Sequence, residues 1–296
     1  MTEPGNTRHL FELFIFTDPF CTWCWGSEPV LRKTRESYGD QVRFVFRMGG
    51  LVESVKDFND TLNKINGKNF YQKMAEYWEM SSQRHKMPVD SRFFAEYKTD
   101  FRSSWPACLA VKAAQIQDEE LAARYLRRLR EAGLAECLPI HRRQTQVELA
   151  EETGLDGEQL KGDIDSGAAG HAFEADMQEY HTQGGEAFPF YVVRHMGGEE
   201  IPLNGYVSSM ALEKLLEKMS GGKLERRQPE LTDDNVVAFV EKYGKVAVRE
   251  VGELYFIPIR EAAERLDRLV EEGRLGKMKA GNGWFYLPPT APAAPA

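Results

Sequence analysis

Cysteine is scarce in this chain, with four residues in 296, at positions 21, 24, 108 and 137. So thin a supply excludes a disulfide framework as the source of stability. Long apolar runs are missing too: none reaches the ~18–20 residues of a membrane-spanning helix. The opening stretch MTEPGNTRHLFELFIF has neither the basic start nor the small-residue cleavage site of a secretory signal. The expectation is a cytoplasmic protein without a membrane partner. Positive charge is in deficit, with 38 Lys and Arg against 46 Asp and Glu and a net charge of -8. Phosphate backbones select a basic face, so nucleic acid is not the expected partner. The six histidines form no cluster at ligand spacing; His171 and His181 are ten residues apart and read as surface residues. No glycine-rich phosphate loop or carboxylate pair stands out, so neither a metal nor a bound cofactor is expected.

What the chain does contain is 42% hydrophobic residues, enough for one large or two ordinary cores. LFELFIFTD (10–18) reads as a buried strand running into a turn. CWGSEPVLRKTRESYG is helical in spacing, with Pro29 as a kink and Gly39 as a stop. QVRFVFRMGGL (41–51) alternates as a second strand. Residues 53–183 read almost wholly as amphipathic helices, clearest over 103–117 and 119–134. Residues 187–206 give two short strands about Gly197-Gly198, and 208–219 a helix capped by serine.

The glycine-rich, charged segment SGGKLERRQPE marks a linker at 221–230. This divides the chain into a first domain over 1–220 and a small second one over 231–287. The second shows helices over TDDNVVAFVEKYG, VAVREVGELYF and PIREAAERLDRLVEEGRL, then a hairpin over 276–287, which is a winged-helix-like order. It carries nine Lys and Arg against ten Asp and Glu, and its third helix alternates the two signs. That balance suits partner or intramolecular docking better than DNA. The tail at 288–296, PTAPAAPA after Pro288, buries too little to fold.

The chemistry lies in FTDPFCTWCWGSEPVL, residues 16–31. Cys21 and Cys24 follow a strand and open a helix, where backbone amides and the helix dipole favour a thiolate on Cys21 and Cys24 can resolve a mixed disulfide. A zinc site would need two more ligands, and neither Cys108 nor Cys137 belongs to a second pair; these two read as small packing residues. Packing without chemistry is the third alternative for the pair itself.

Strand, CxxC, helix, strand, long helical insertion and a late proline-bearing strand together resemble the thioredoxin fold in its DsbA-like form. The resemblance implies an α/β thioredoxin fold with a large helical insertion, followed by the winged-helix-like domain. It places Pro189 of EAFPFYVV where that family has its cis-proline, against the CxxC. DPFCTWCWG, the GGL at 49–51 and SSWPACLAVKAA are similar to the predicted protein-disulfide isomerases of the group. The SpxH (YjbH) adaptor family is similar over nearly the whole chain: the run Asp18 to Pro29, the helix Ser103 to Ala114, Ala150 to Asp156, and the C-terminal domain ending in an aromatic pair.

The first branch implies an enzyme, a thiol-disulfide oxidoreductase, reductase or isomerase, with Cys21 and Cys24 as its only redox centre, a polypeptide substrate and a redox partner. The second implies a non-enzymatic adaptor that presents a regulator such as Spx to the ClpXP protease. Trp23, Phe20, Phe188 and Pro189 are the expected polypeptide-binding residues, with Trp25 and Phe190 closer to the core. Two departures from the oxidoreductase pattern stand out. Ile15 replaces the buried acid six residues before the first cysteine, leaving Asp18 as a turn or cap residue, and Thr22-Trp23 between the cysteines lacks histidine, which predicts a mild potential.

Overall fold

In β1 (Phe11–Thr17) the side chains alternate, and each face of the strand meets its own core. Phe11, Leu13 and Ile15 point one way and Phe14 and Phe16 the other, as a period of two requires. The computed structural model describes residues 9–289, so the expected tail from 290 onward lies outside the described residues.

After β1 the chain forms α1 (Thr22–Gly26) and α2 (Glu28–Tyr38). The expected single kinked helix is broken at Ser27, and Pro29 sits in the first turn of α2, where its missing N–H has no partner to lose. β2 (Val42–Met48) then runs parallel to β1. Residues 53–69 are not helical as expected. Their density of Asn, Asp, Gly and Lys favours turns, and they fold around a short hairpin of β3 (Asn59–Asp60) and β4 (Ile65–Asn66).

Helices follow: α3 (Phe70–His85), α4 (Phe93–Glu96), α5 (Trp105–Gln117), α6 (Glu119–Arg130), α7 (Arg143–Glu152), α8 (Gly157–Asp165) and α9 (Ala168–Thr182), with a π-helical turn at Glu131–Ala135. Asp118 caps α6 by accepting from the Leu121 amide at 2.8 Å, and Asp156 caps α8 by accepting from Glu158 and Gln159 at 2.9 Å. Trp78, Phe93, Phe94 and Phe101 fill the layer with edge-to-face aromatic contacts.

β5 (Phe190–His195) and β6 (Glu200–Asn204) complete a sheet of order β2-β1-β5-β6, in which β5 is antiparallel to both neighbours. α10 (Ser209–Ser220) lies with α2 over the Phe11–Leu13–Ile15 face, and α9 brings Tyr180 to the Phe14–Phe16 face. This is the expected α/β thioredoxin fold with its large helical insertion. Among the described residues no helix is long and apolar enough to cross a membrane.

From 221 to 230 the chain has neither helix nor strand. It is fastened to the first domain, with the Arg227 amide donating to the Ser37 carbonyl at 2.7 Å and Gln41 to the Glu225 carbonyl at 2.7 Å. Beyond it come α11 (Asp233–Tyr243), β7 (Val246–Ala247), α12 (Val248–Tyr255), α13 (Ile259–Glu271), β8 (Gly276–Ala280) and β9 (Gly283–Leu287), with sheet order β7-β9-β8. The start of the expected second helix is thus a strand, because Val246 and Ala247 pair with Tyr286 and Phe285.

The C-terminal unit docks through charge and close packing. Glu250 of α12 is fully buried between two arginines, 2.7 Å from Arg32 of α2 and 3.0 Å from Arg127 of α6. The Arg127 guanidinium also lies 4.4 Å from the Trp25 ring centre, and Trp25 meets Phe285 edge-on at 6.2 Å. At the hairpin turn, Asn282 and Val89 exchange hydrogen bonds of 2.9 and 3.0 Å.

Candidate functional site

The CxxC is positioned by Asp18, which is buried at the end of β1. One carboxylate oxygen accepts from the Phe20 amide at 2.8 Å, closing an Asx turn. The other accepts from the Leu51 amide at 2.8 Å, the Ser104 hydroxyl at 2.6 Å and the Cys108 thiol at 3.2 Å. One side chain therefore joins the CxxC turn, the Gly-Gly-Leu segment and the start of α5. Cys108 packs in the core, as expected, and also serves as a donor there.

Cys21 caps α1, and the Cys24 amide donates to its Sγ at 3.2 Å. Both thiols are free and enclosed, Cys21 4% and Cys24 2% exposed. Burial pushes the Cys21 thiol well up, with Cys24 and the Asp18 charge adding to it; the amide from Cys24 opposes but does not win. Burial also raises Cys24, yet the hydrogen bond from Cys21, the Arg130 charge and Thr17 outweigh it and bring the thiol below its ordinary value. The Cys24 amide on the Cys21 Sγ is the contact expected for a thiolate at a helix start, while burial opposes charge on either thiol. Arg130 is buried and donates to Thr17 and to Glu28, and its charge is one of the influences on Cys24, after the hydrogen bond from Cys21. Where an oxidoreductase pattern has an acid, this chain has buried Ile15 and, nearby, a cation.

Trp23 is half-buried and faces the expected contact surface. Its Nε1 donates to the Tyr77 hydroxyl at 2.8 Å, and its ring lies 5.8 Å from His85 and 5.9 Å from Tyr206. Phe188 is also half-buried and stacks on Tyr180 at 4.7 Å. The Phe188-Pro189 bond is cis, and the Pro189 carbonyl accepts from Gly205, next to Tyr206, at 2.9 Å. Pairing of Phe190 with Phe16 sets Pro189 opposite the end of β1. Gly49 is required there, since a Cβ would come 2.1 Å from the Phe188 ring.

Phe20 does not join this surface. It is 2% exposed and packs on Phe93 and Phe101 at 5.3 and 4.8 Å, so the expectation that it binds polypeptide is corrected: the helical insertion covers it. His85 was not foreseen. The Met87 amide donates to its Nδ1 at 3.1 Å, leaving Nε2–H to donate to Thr22 at 3.2 Å. Burial, aided by Arg249, pushes its pKa down to about 3, so the ring is neutral. No motif announces it; the one signal is Gly26, where a Cβ would come 2.6 Å from the imidazole. His171 and His181 are exposed. Among the described residues no three His, Cys, Asp or Glu side chains group to hold a metal.

Comparison with known proteins places this geometry. A family profile described as Thioredoxin matches residues 14–213. The ClpXP adapter protein SpxH of Halalkalibacterium halodurans is 31% identical over 96% of this chain and 92% of its own length. The protein of the same name from Bacillus subtilis is 27% identical over 95% and 90%. Among solved structures, a putative protein disulfide isomerase from Nitrosomonas europaea superposes with TM-score 0.59 at 20% identity, covering 72% of this chain and 98% of that one. The cytosolic disulfide reductase DsbM from Pseudomonas aeruginosa gives 0.53 at 23%, covering 65% and 88%. Likeness at that identity is a likeness of fold. The expectation of an enzyme is overturned by the relatives that match along nearly the whole length, which are named adapters. The dithiol is enclosed, and the position of the buried acid holds Ile15.

Proposed function

The chain belongs to the thioredoxin family and, within it, to the SpxH family, and on that premise we propose that it is a cytoplasmic adaptor that holds a regulator of the Spx type and presents it to the ClpXP protease. One observation carries the reading. The likeness to the adapter of Halalkalibacterium halodurans spans 96% of the chain, through both units, whereas the thioredoxin profile ends at 213. Thiol exchange needs the first unit alone; holding one protein for another gives the second unit a task.

In this reading the thioredoxin scaffold supplies a rigid contact surface. Trp23 and Phe188, both half-buried, are the contact residues, aromatic groups that suit an extended or helical segment of a partner, while Pro189 is itself buried and can offer only its edge at the start of β5. The C-terminal unit, read as winged-helix-like from its order of helix, strand, two helices and hairpin, serves protein docking. Its net charge of about -1, from nine basic and ten acidic residues, favours that use over DNA.

Degradation of purified Spx by ClpXP tests the proposal. Adding the chain is expected to raise the rate at least tenfold, and Trp23→Ala to remove most of that gain. A rate indifferent to the chain would sink the adaptor reading, whereas an unaffected Trp23→Ala variant would only displace the contact surface.

A further inference from the structure

We infer that the groove between the two units receives an apolar, carboxylate-flanked segment of the regulator, an inference that rests on the adaptor reading and names the chemistry of its partner. One wall is the end of α3 with Met87 and Pro88. The other is Val248 of α12, Ile259 and Ala263 of α13, and Trp284 of β9. The groove has a volume of about 310 Å3, room for a few apolar side chains and too little for a duplex. It exists only because the second unit is docked, so neither unit offers it alone.

Trp284 stands at its rim with 41% of its surface exposed. Burial would gain most there, since a large ring contributes much of an interface's energy. Lys277 and Lys279 hold their ammonium groups 4.6 and 4.8 Å from the centre of that ring. Lys277 is matched by Asp267 at 2.5 Å. Arg84, Lys86 and Lys279 are exposed, and among the described residues none of the three has a carboxylate within ion-pair distance. Lys86 lines the groove, and Arg84 belongs to the same turn of α3.

In a molecule of net charge -8, Lys86 in the groove, with Arg84 in the last turn of α3 and Lys279 beside the Trp284 ring, sets positive charge without ion-pair partners next to an apolar surface. A partner that complements both features carries carboxylates beside apolar side chains. A phosphate backbone fits less well: the floor is apolar, and on the exposed face of α13 Arg260 is already held by Glu264 at 2.8 Å.

The test measures binding of labelled Spx to the full chain by fluorescence anisotropy at low and high salt, with a 20-base-pair duplex as competitor. Expected are a Kd that rises with salt, a loss of at least tenfold in Lys86→Glu/Lys279→Glu, whose side chains are exposed, and a similar loss in Ala263→Trp, which fills the groove. Circular dichroism and the melting temperature check that each variant is folded. If the wild-type chain binds Spx and both folded variants bind it equally, the groove is not the site while the adaptor reading stands. If the wild-type chain binds no Spx, both fall. If the duplex displaces Spx from the groove, the assignment to a protein segment is wrong.

Discussion

Two side chains show what position does to a residue. Phe256 ends α12 in the left-handed region, φ 56 and ψ 43, yet is 77% exposed. Its backbone is strained while its ring gains little from burial. Phe256→Gly is therefore expected to stabilise the fold by about 1 kcal/mol, seen as a melting temperature ~2–4 °C higher; an unchanged or lower value would contradict the strain argument. His85 has the opposite profile, wholly enclosed and held near pKa 3 against an ordinary 6.5. Because the folded pKa of this base is lowered, its folded form declines the proton that the unfolded chain accepts. Stability is thus present above about pH 6.5 and drains as pH falls toward 3. The loss approaches ~1.4 kcal/mol per pH unit inside that window. Urea unfolding at pH 7 and pH 4.5 is expected to show a smaller difference in His85→Gln than in the native chain; equal differences would refute it.

At the scale of elements, the short helix α1 is set by what it touches. Gly26 leaves no gap before His85 of α3, so the two helices approach closer than any side chain at 26 allows. Gly26→Ala is expected to cost about 1–3 kcal/mol through overpacking, read as a lower urea midpoint with unchanged slope. A full-length CxxC helix was legible up to its cap and its spacing, since both are properties of neighbouring residues. Its break at Ser27 was not, because Pro29 fits either a kinked helix or the start of a new one, and Ser27 alone does not choose. The strand β7 was missed for a related reason. Val246-Ala247 is too short for periodicity to speak, and only pairing with Tyr286 and Phe285 makes it a strand.

For the molecule as a whole, the question is how firmly two units become one. Glu250 sits buried against Arg32 and Arg127, while Arg127 also meets Glu28 at 3.4 Å and Glu131 at 2.7 Å. Burial alone raises the Glu28 carboxyl, but the charges of Arg130, Arg127 and Arg32 outweigh it and hold the carboxyl below its usual range. Removing one member of such a set strands the others without water. Glu250→Gln is expected to cost about 3–5 kcal/mol and to open the 221–230 segment to protease, detected as two fragments on limited digestion. A protease pattern like that of the unmodified chain would mean that the packing of Trp25 on Phe285 holds the units without the ion pairs.

The sequence by itself determined the central strands, the serine cap at Ser208, the CxxC at a strand-to-helix turn, and the break in regular structure at 221–230. Each follows from side-chain alternation, hydrogen-bonding caps or glycine content, which act over a few residues. Tertiary structure decided what could be reached. Phe20 and Trp23 are three residues apart in one motif, yet the helical insertion covers the first and leaves the second half open. It also brought Arg130 to Thr17 at the end of β1 and to Glu28, so that a buried cation bears on the Cys24 thiol. Burial and electrostatic environment are set by segments far along the chain, Phe93 and Phe101 over Phe20 and Arg130 near Thr17, so the spacing of the cysteines identified a dithiol while distant segments set its surroundings.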